Sequence, residues 1–163
     1  MSPFAPFSTF QDGLARQVFL MDAVSAKVRS EIMRKVGRIN TKPELAVRKA
    51  LHALGYRFRL HRRDLPGTPD IVLPKYRTVI FVHGCFWHRH PRCRKASTPQ
   101  DNYAYWQRKF ASNRRRDRRN KRDLAKMGWR LFVVWQCQTK DRPGLEAALL
   151  AILQFSTSLN DGK

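Results

Sequence analysis

Acidic residues are scarce: 12 Asp and Glu stand against 33 Lys and Arg in 163 residues, a net charge of +21. That imbalance makes a polyanion the first partner to consider, because a basic surface gathers phosphates by releasing their counterions. Charge alone leaves DNA, RNA and an anionic membrane open. Long apolar runs are also missing. None approaches the roughly 18 residues that a membrane-crossing helix needs, so no membrane span is expected. The first twenty residues lack both a basic start and a continuous apolar segment, and a secretory signal is not expected. Cysteine is rare, at three. That number is too small, and odd, for a disulfide framework, so a reducing compartment fits better. There is no internal repeat and no separate linker. What is present is ordinary globular composition, 42% apolar, at a length suited to one hydrophobic core.

Residues 1–24 read as an N-terminal extension without order, with Met21 as an alternative start. Residues 25–156 read as one domain and 157–163 as a tail. A basic helix is expected over residues 26–36, ending at Gly37. Thr41-Lys42-Pro43-Glu44 then carries a helix-start signature: a Thr N-cap, Pro in the first turn, and Glu three residues after the cap. Leu45, Leu51 and Leu54, with Ala46, Ala50 and Ala53, give that helix its apolar side, and Gly55 stops it. Tyr56, Phe58 and Leu60 alternate with arginines, the period of a half-buried strand. Residues 70–73 and 78–82 are β-rich runs around a hairpin turn at 74–77. Residues 129–135 (WRLFVVW) are apolar enough for a central strand. A Cys/His-rich loop at 84–99 and a long helix over about 101–127 separate the third and fourth strands. A last helix covers about 143–155. This order implies an α/β mixed sheet with helices packed on it.

Along the long helix, Tyr103, Trp106, Phe110, Asn113, Asp117, Asn120, Leu124 and Met127 recur at alternating spacings of three and four, so they share one face. The ends of that stripe are apolar and its middle is Asn-Asp-Asn. Either the middle leaves the core for solvent, or it faces a polar site while Arg118, Arg119 and their basic neighbours reach a phosphate backbone. A buried carboxylate needs partners, which favours the second reading.

The densest chemistry lies in residues 83–93. Cys85, His90 and Cys93 make a C-x4-H-x2-C pattern. Cys137, just past the fourth strand, can complete a closed Cys3His zinc site, the structural type that leaves no position for water. Spacing leaves His88 and His90 both open as the nitrogen ligand. Pro69-Asp70 opens one strand and the next ends at Val82-His83, which is how many metal-dependent nucleases present their carboxylate. The usual partner acid and lysine are absent, however, with Phe81 and His83 in their places. Glu44 reads equally as half of a capping box or as a site acid. Phe86, Trp87 and Trp106 are aromatics among basic residues, suited to wedging between bases or to covering the zinc site as a small core.

The combination resembles the Vsr-type very short patch repair endonucleases. It does so in residues 41–44, in 65–70 (LPGTPD), in 79–88 with its specific VHGCFWH string, in Asn113 and residues 116–119, and in 128–137. The resemblance spans about residues 25–138. It implies a single restriction-endonuclease-like domain with a zinc-stapled loop, nicking duplex DNA 5′ of the T in T:G mismatches by Mg²⁺-dependent hydrolysis to a 5′-phosphate. In that pattern Asp70 and the Val82 main-chain carbonyl hold Mg²⁺, and His88 is the general base, since imidazole titrates near neutrality. His83 and Glu44 assist. Cys85, His90, Cys93 and Cys137 hold Zn²⁺. Phe86, Trp87 and Trp106 intercalate, while Asn113, Asp117, Arg118 and Arg119 support the site and the DNA. Gln136 departs from a common Glu, and residues 1–20 lie outside the pattern. The implied setting is a nucleoid-associated monomer in the bacterial cytoplasm, with mismatch-repair proteins as candidate partners. The competing hypothesis is a zinc-stapled basic module that binds nucleic acid without catalysis.

Overall fold

The hairpin formed by β2 (Ile71–Leu73) and β3 (Thr78–His83) sets the architecture. Its turn is a single 3-10 turn, Pro74–Tyr76, closed by Arg77 in the left-handed region. β2 is buried along its whole length, and alternate side chains go to opposite faces. Ile71, Leu73 and Ile80 enter one cluster, and Val72, Val79 and Phe81 enter another. The sheet is therefore covered on both sides.

A computed structural model describes residues 39–157. The expected helix at 26–36, the N-terminal extension and most of the tail lie outside them. Within the described residues the chain runs α1 (Lys42–Ala53), β1 (Arg59–Leu60), β2, β3, α2 (Tyr103–Lys126), β4 (Arg130–Trp135) and α3 (Arg142–Thr157). The sheet order is β1-β2-β3-β4. The first two pairings are antiparallel and β3–β4 is parallel. α1 and α3 cover one face through Val47, Ala50, Leu51, Leu145, Leu149 and Leu153. α2 covers the other through Leu124, beside Leu65 and Trp129. This is the α/β mixed sheet flanked by helices that the sequence implied. Leu51 and Leu149 are fully buried, and truncating either to Ala is expected to cost about 2–5 kcal/mol.

Three expectations need correction. β4 is an edge strand of the described sheet rather than a central one. Its residues are half-buried except Val134, which packs under α1 and α3, while Leu131 packs towards α2. β1 has only two paired residues; Tyr56 and Phe58 pack on the core without joining the ladder. On α1, Leu45 is 41% exposed and Val47 takes the buried place.

The parallel β3–β4 pairing positions the site. Thr78 pairs with Arg130 and His83 with Trp135, so both strands end at the same edge. The Gln136 N–H donates to the His83 carbonyl at 2.9 Å, carrying the register into the loops. Segments 47 residues apart in sequence thereby meet, bringing Cys137 beside His90. α2, with 24 residues, is about 36 Å long and runs from the Cys/His loop back along the sheet.

Candidate functional site

Three groups of ionisable side chains gather near the end of β3, each with its ligand atoms within 4.8 Å of one another: Cys85, His90, Cys93 and Cys137; His83, His88 and Asp117; and Glu44, His61 and Asp70.

The Cys/His group closes the loop after β3. His90 Nδ1 lies 3.6 Å from Cys85 Sγ and 3.3 Å from Cys137 Sγ. Tetrahedral bonds of about 2.3 Å to sulfur and 2.0 Å to nitrogen place such donors roughly 3.5 Å apart, so the four can hold a zinc-type ion. Burial, with Cys137 alongside, pushes the Cys85 thiol up to about 12. A thiophilic cation would offset that penalty. The His90 ring stacks on Trp135 at 4.2 Å and 8°, which fixes its plane. Geometry thus separates the two histidines: His90 joins the cysteines, and His88 turns away to α2.

His88 Nδ1 is 2.7 Å from Asp117 Oδ2. Burial alone would raise the Asp117 carboxyl, but the hydrogen bond and charge of His88 hold it below the usual carboxylate value. An ionised carboxylate can only accept, so Nδ1 carries the proton that Asp117 Oδ2 accepts. His83 stacks on His88 at 3.8 Å and 15°. Burial, then the charge of His88, lowers His83 to about 4. It is neutral at pH 7, and the stack does not bring two cations together. The polar middle of the α2 stripe does face this site: Asn113 Nδ2 donates to the Trp87 carbonyl at 2.9 Å and accepts at Oδ1 from Arg116 at 3.0 Å. A cleft of about 150 Å³ between Phe81, Leu131 and Val133 opens beside His83 and Asp117. Arg118 lines both that cleft and a groove of about 570 Å³ bounded by Arg115, Arg116, Arg119 and Arg122.

Asp70 is placed by the turn before β2, where Gly67 (φ +78) approaches α2 so closely that a Cβ would meet Asn120 Nδ2 at 2.3 Å. Its Oδ2 accepts the Val82 N–H at 2.7 Å. Burial raises Asp70 to about 6 against the pull of that bond, and neighbouring Glu44 adds to the rise. A half-buried carboxylate beside a second one is a donor set that a hard divalent cation fits. Glu44, 3% exposed, completes the capping box of α1 with Thr41. It also accepts from the Asn40 N–H and from Arg48, both at 2.9 Å. Arg48 and His61, 2.9 Å apart, were not among the residues picked from the sequence. Arg48 lies four residues after Glu44, a spacing that pairs opposite charges on a helix; His61 offers no such signal.

Of the two arrangements open to the aromatic residues, the structure shows the small core. Trp106 is 0% and Phe86 7% exposed. Both sit in a cluster with Phe110, against which Trp87 packs. They form the small satellite core. Tyr103 and Met127, at the two ends of the stripe, are 53% and 44% exposed.

Residues 21–95 match the family model described as DNA mismatch endonuclease Vsr. The chain is 53% identical over 137 residues to the Type II nicking enzyme V.XorIIP of Xanthomonas oryzae pv. oryzae, an alignment covering 84% of this chain and 100% of that protein. It is 42% identical over 123 residues to the Type II nicking enzyme V.NmeAIP of Neisseria meningitidis, covering 76% and 87% of the two. It is 37% identical over 126 residues to the DNA mismatch endonuclease Vsr of Escherichia coli K12, covering 77% and 80%.

Proposed function

Because the chain belongs to the Vsr family of DNA mismatch endonucleases, we propose that it nicks duplex DNA 5′ of the T in a T:G mismatch by Mg²⁺-dependent hydrolysis. Such a nick would begin very short patch repair of deaminated 5-methylcytosine. The observation that carries this reading is the presence, at one end of β3, of both a half-buried carboxylate and a carboxylate-oriented histidine: Asp70 on the Val82 N–H and His88 on Asp117.

Asp70 and the Val82 carbonyl would hold Mg²⁺. Held there, the cation would supply Lewis-acid stabilisation of the charge that develops on the phosphate and the leaving 3′-oxygen. His88 Nε2 takes the proton from the attacking water, while Asp117 fixes the tautomer and stabilises the imidazolium that forms. Neutral His83 holds the His88 ring by stacking and leaves the cationic charge to His88. Glu44 acts through position: its oxygens are committed to the start of α1 and to Arg48. Cys85, His90, Cys93 and Cys137 would bind Zn²⁺ as a staple that keeps the His88 loop rigid. Arg118 and Arg119 face the phosphate backbone. Phe86, Trp87 and Trp106 enter the base stack only after their cluster opens. A wobble pair, which stacks less well than a matched one, is where wedging costs least.

A labelled duplex with one T:G mismatch, beside a T:A control, tests the reading. Metal-dependent nicking of the T strand in the mismatched duplex alone is expected. Asp70→Ala should lose cleavage and keep mismatch binding. Equal cleavage of the T:A control would overturn the assignment.

A further inference from the structure

Glu44, His61 and Asp70 form a donor set compact enough to hold a divalent cation without any DNA. Two of the three are already engaged. Arg48 donates to Glu44 Oε2 at 2.9 Å and lies 2.9 Å from His61 Nε2. A guanidinium has no acceptor, so the Nε2 lone pair is the acceptor there. Glu44 also takes the Asn40 N–H at 2.9 Å and the Thr41 hydroxyl at 2.8 Å. Asp70 is left as the available carboxylate. One carboxylate plus a main-chain carbonyl makes a weak Mg²⁺ site, of the kind usually completed by substrate phosphate oxygens.

The Arg48 side chain is 12% exposed, and its Nε is buried without a hydrogen-bond partner among the described residues. An apolar side chain would avoid that cost if packing were its only task. What Arg48 supplies is a fixed positive charge against the carboxylate pair. We propose that Arg48 is a positioning residue that keeps the Asp70 metal pocket weak in the free protein, so that metal loading depends on DNA. The inference rests on the metal-dependent nuclease reading above and assigns its coupling to one residue.

The zinc-loaded full-length chain would be titrated with Mn²⁺, following free Mn²⁺ by electron paramagnetic resonance. One series has no DNA; the other has a T:G duplex blocked at the scissile bond. In the wild type, the duplex should tighten Mn²⁺ binding at least tenfold. Arg48→Gln should bind Mn²⁺ at least tenfold more tightly without DNA, and the DNA effect should shrink accordingly. Arg48→Lys, which keeps the charge, should stay within about threefold of the wild type. Arg48→Gln combined with Glu44→Gln should return close to the wild type, because the freed carboxylate charge has gone. Equal or weaker Mn²⁺ binding by folded Arg48→Gln, checked by circular dichroism, overturns the proposal. So does wild-type binding that DNA does not strengthen, a result that needs no variant to fold. No Mn²⁺ binding even with the duplex would instead sink the metal-dependent nuclease reading itself.

Discussion

His88 and Asp117 are joined by a 2.7 Å contact that ties the loop after β3 to the middle of α2 across 29 residues of chain. It is the one place where the basic helix presents an acid inward. Asp117→Asn keeps the shape but offers His88 an amide, which no longer favours the imidazolium. The single-turnover nicking rate is expected to fall about 10²–10⁴-fold, the usual share of a general base. Binding of the T:G duplex should change little. The pair also predicts an acid limb in stability. Asp117 is depressed in the folded state, so its contribution is complete above its ordinary value near pH 4 and is lost as pH falls through the lowered one. Melting curves of the wild type below pH 4 should show that limb, and those of Asp117→Asn should lack it.

Much of this was legible because the relevant signals are local. The capping box of Thr41 and Glu44 lies within four residues, and the hairpin turn follows from Pro74 between two β-rich runs. The polar stripe of α2 follows from helical spacing alone. What was not legible depended on partners distant in sequence. The choice between His88 and His90 needs the β3–β4 register. His61 reaches the Asp70 pocket at a positive φ that no residue pattern announces. Aromatic residues next to arginines look exposed in a sequence, but Trp106 and Phe86 find Phe110 first.

Asp70 gives a pH dependence of the opposite sign. Its folded value is about 6, against about 4 in an unfolded chain. The metal-free folded state therefore holds this proton more tightly, so the Asp70 contribution to stability is complete below pH 4 and is lost as pH rises through 6. Asp70→Asn should flatten this limb and leave the metal-free protein about 1–3 kcal/mol more stable at pH 8. Urea melts across pH 4–8 in the presence of a magnesium chelator would measure it. A variant less stable than the wild type at pH 8 would contradict it.

Removal of the loop ion should act on fold and activity together. Elemental analysis is expected to find about one zinc per chain. Cys93→Ser leaves three donors and an open position. Its melting temperature should drop by roughly 10 °C or more, and nicking should fall with it, since the same loop carries His88. An unchanged melting temperature with no bound zinc would show that the loop closes without metal.

The arginines of α2 and the aromatic cluster should separate affinity from choice. Arg118→Ala and Arg119→Ala are each expected to weaken binding to T:G and T:A duplexes alike and to reduce the salt slope by about one. Trp87→Ala should behave differently. Trp87 packs on the cluster while remaining partly exposed, so its loss costs little in folding and acts on the wedge. Trp106→Ala is a poor probe of the same step, because a fully buried indole takes about 3–5 kcal/mol of stability with it. Discrimination between T:G and T:A should fall at least tenfold in Trp87→Ala with the salt slope unchanged. Titration of each variant with both duplexes at several salt concentrations separates the two effects. A Trp87→Ala protein that keeps its preference for the mismatch would assign that preference to polar contacts instead of the aromatic wedge.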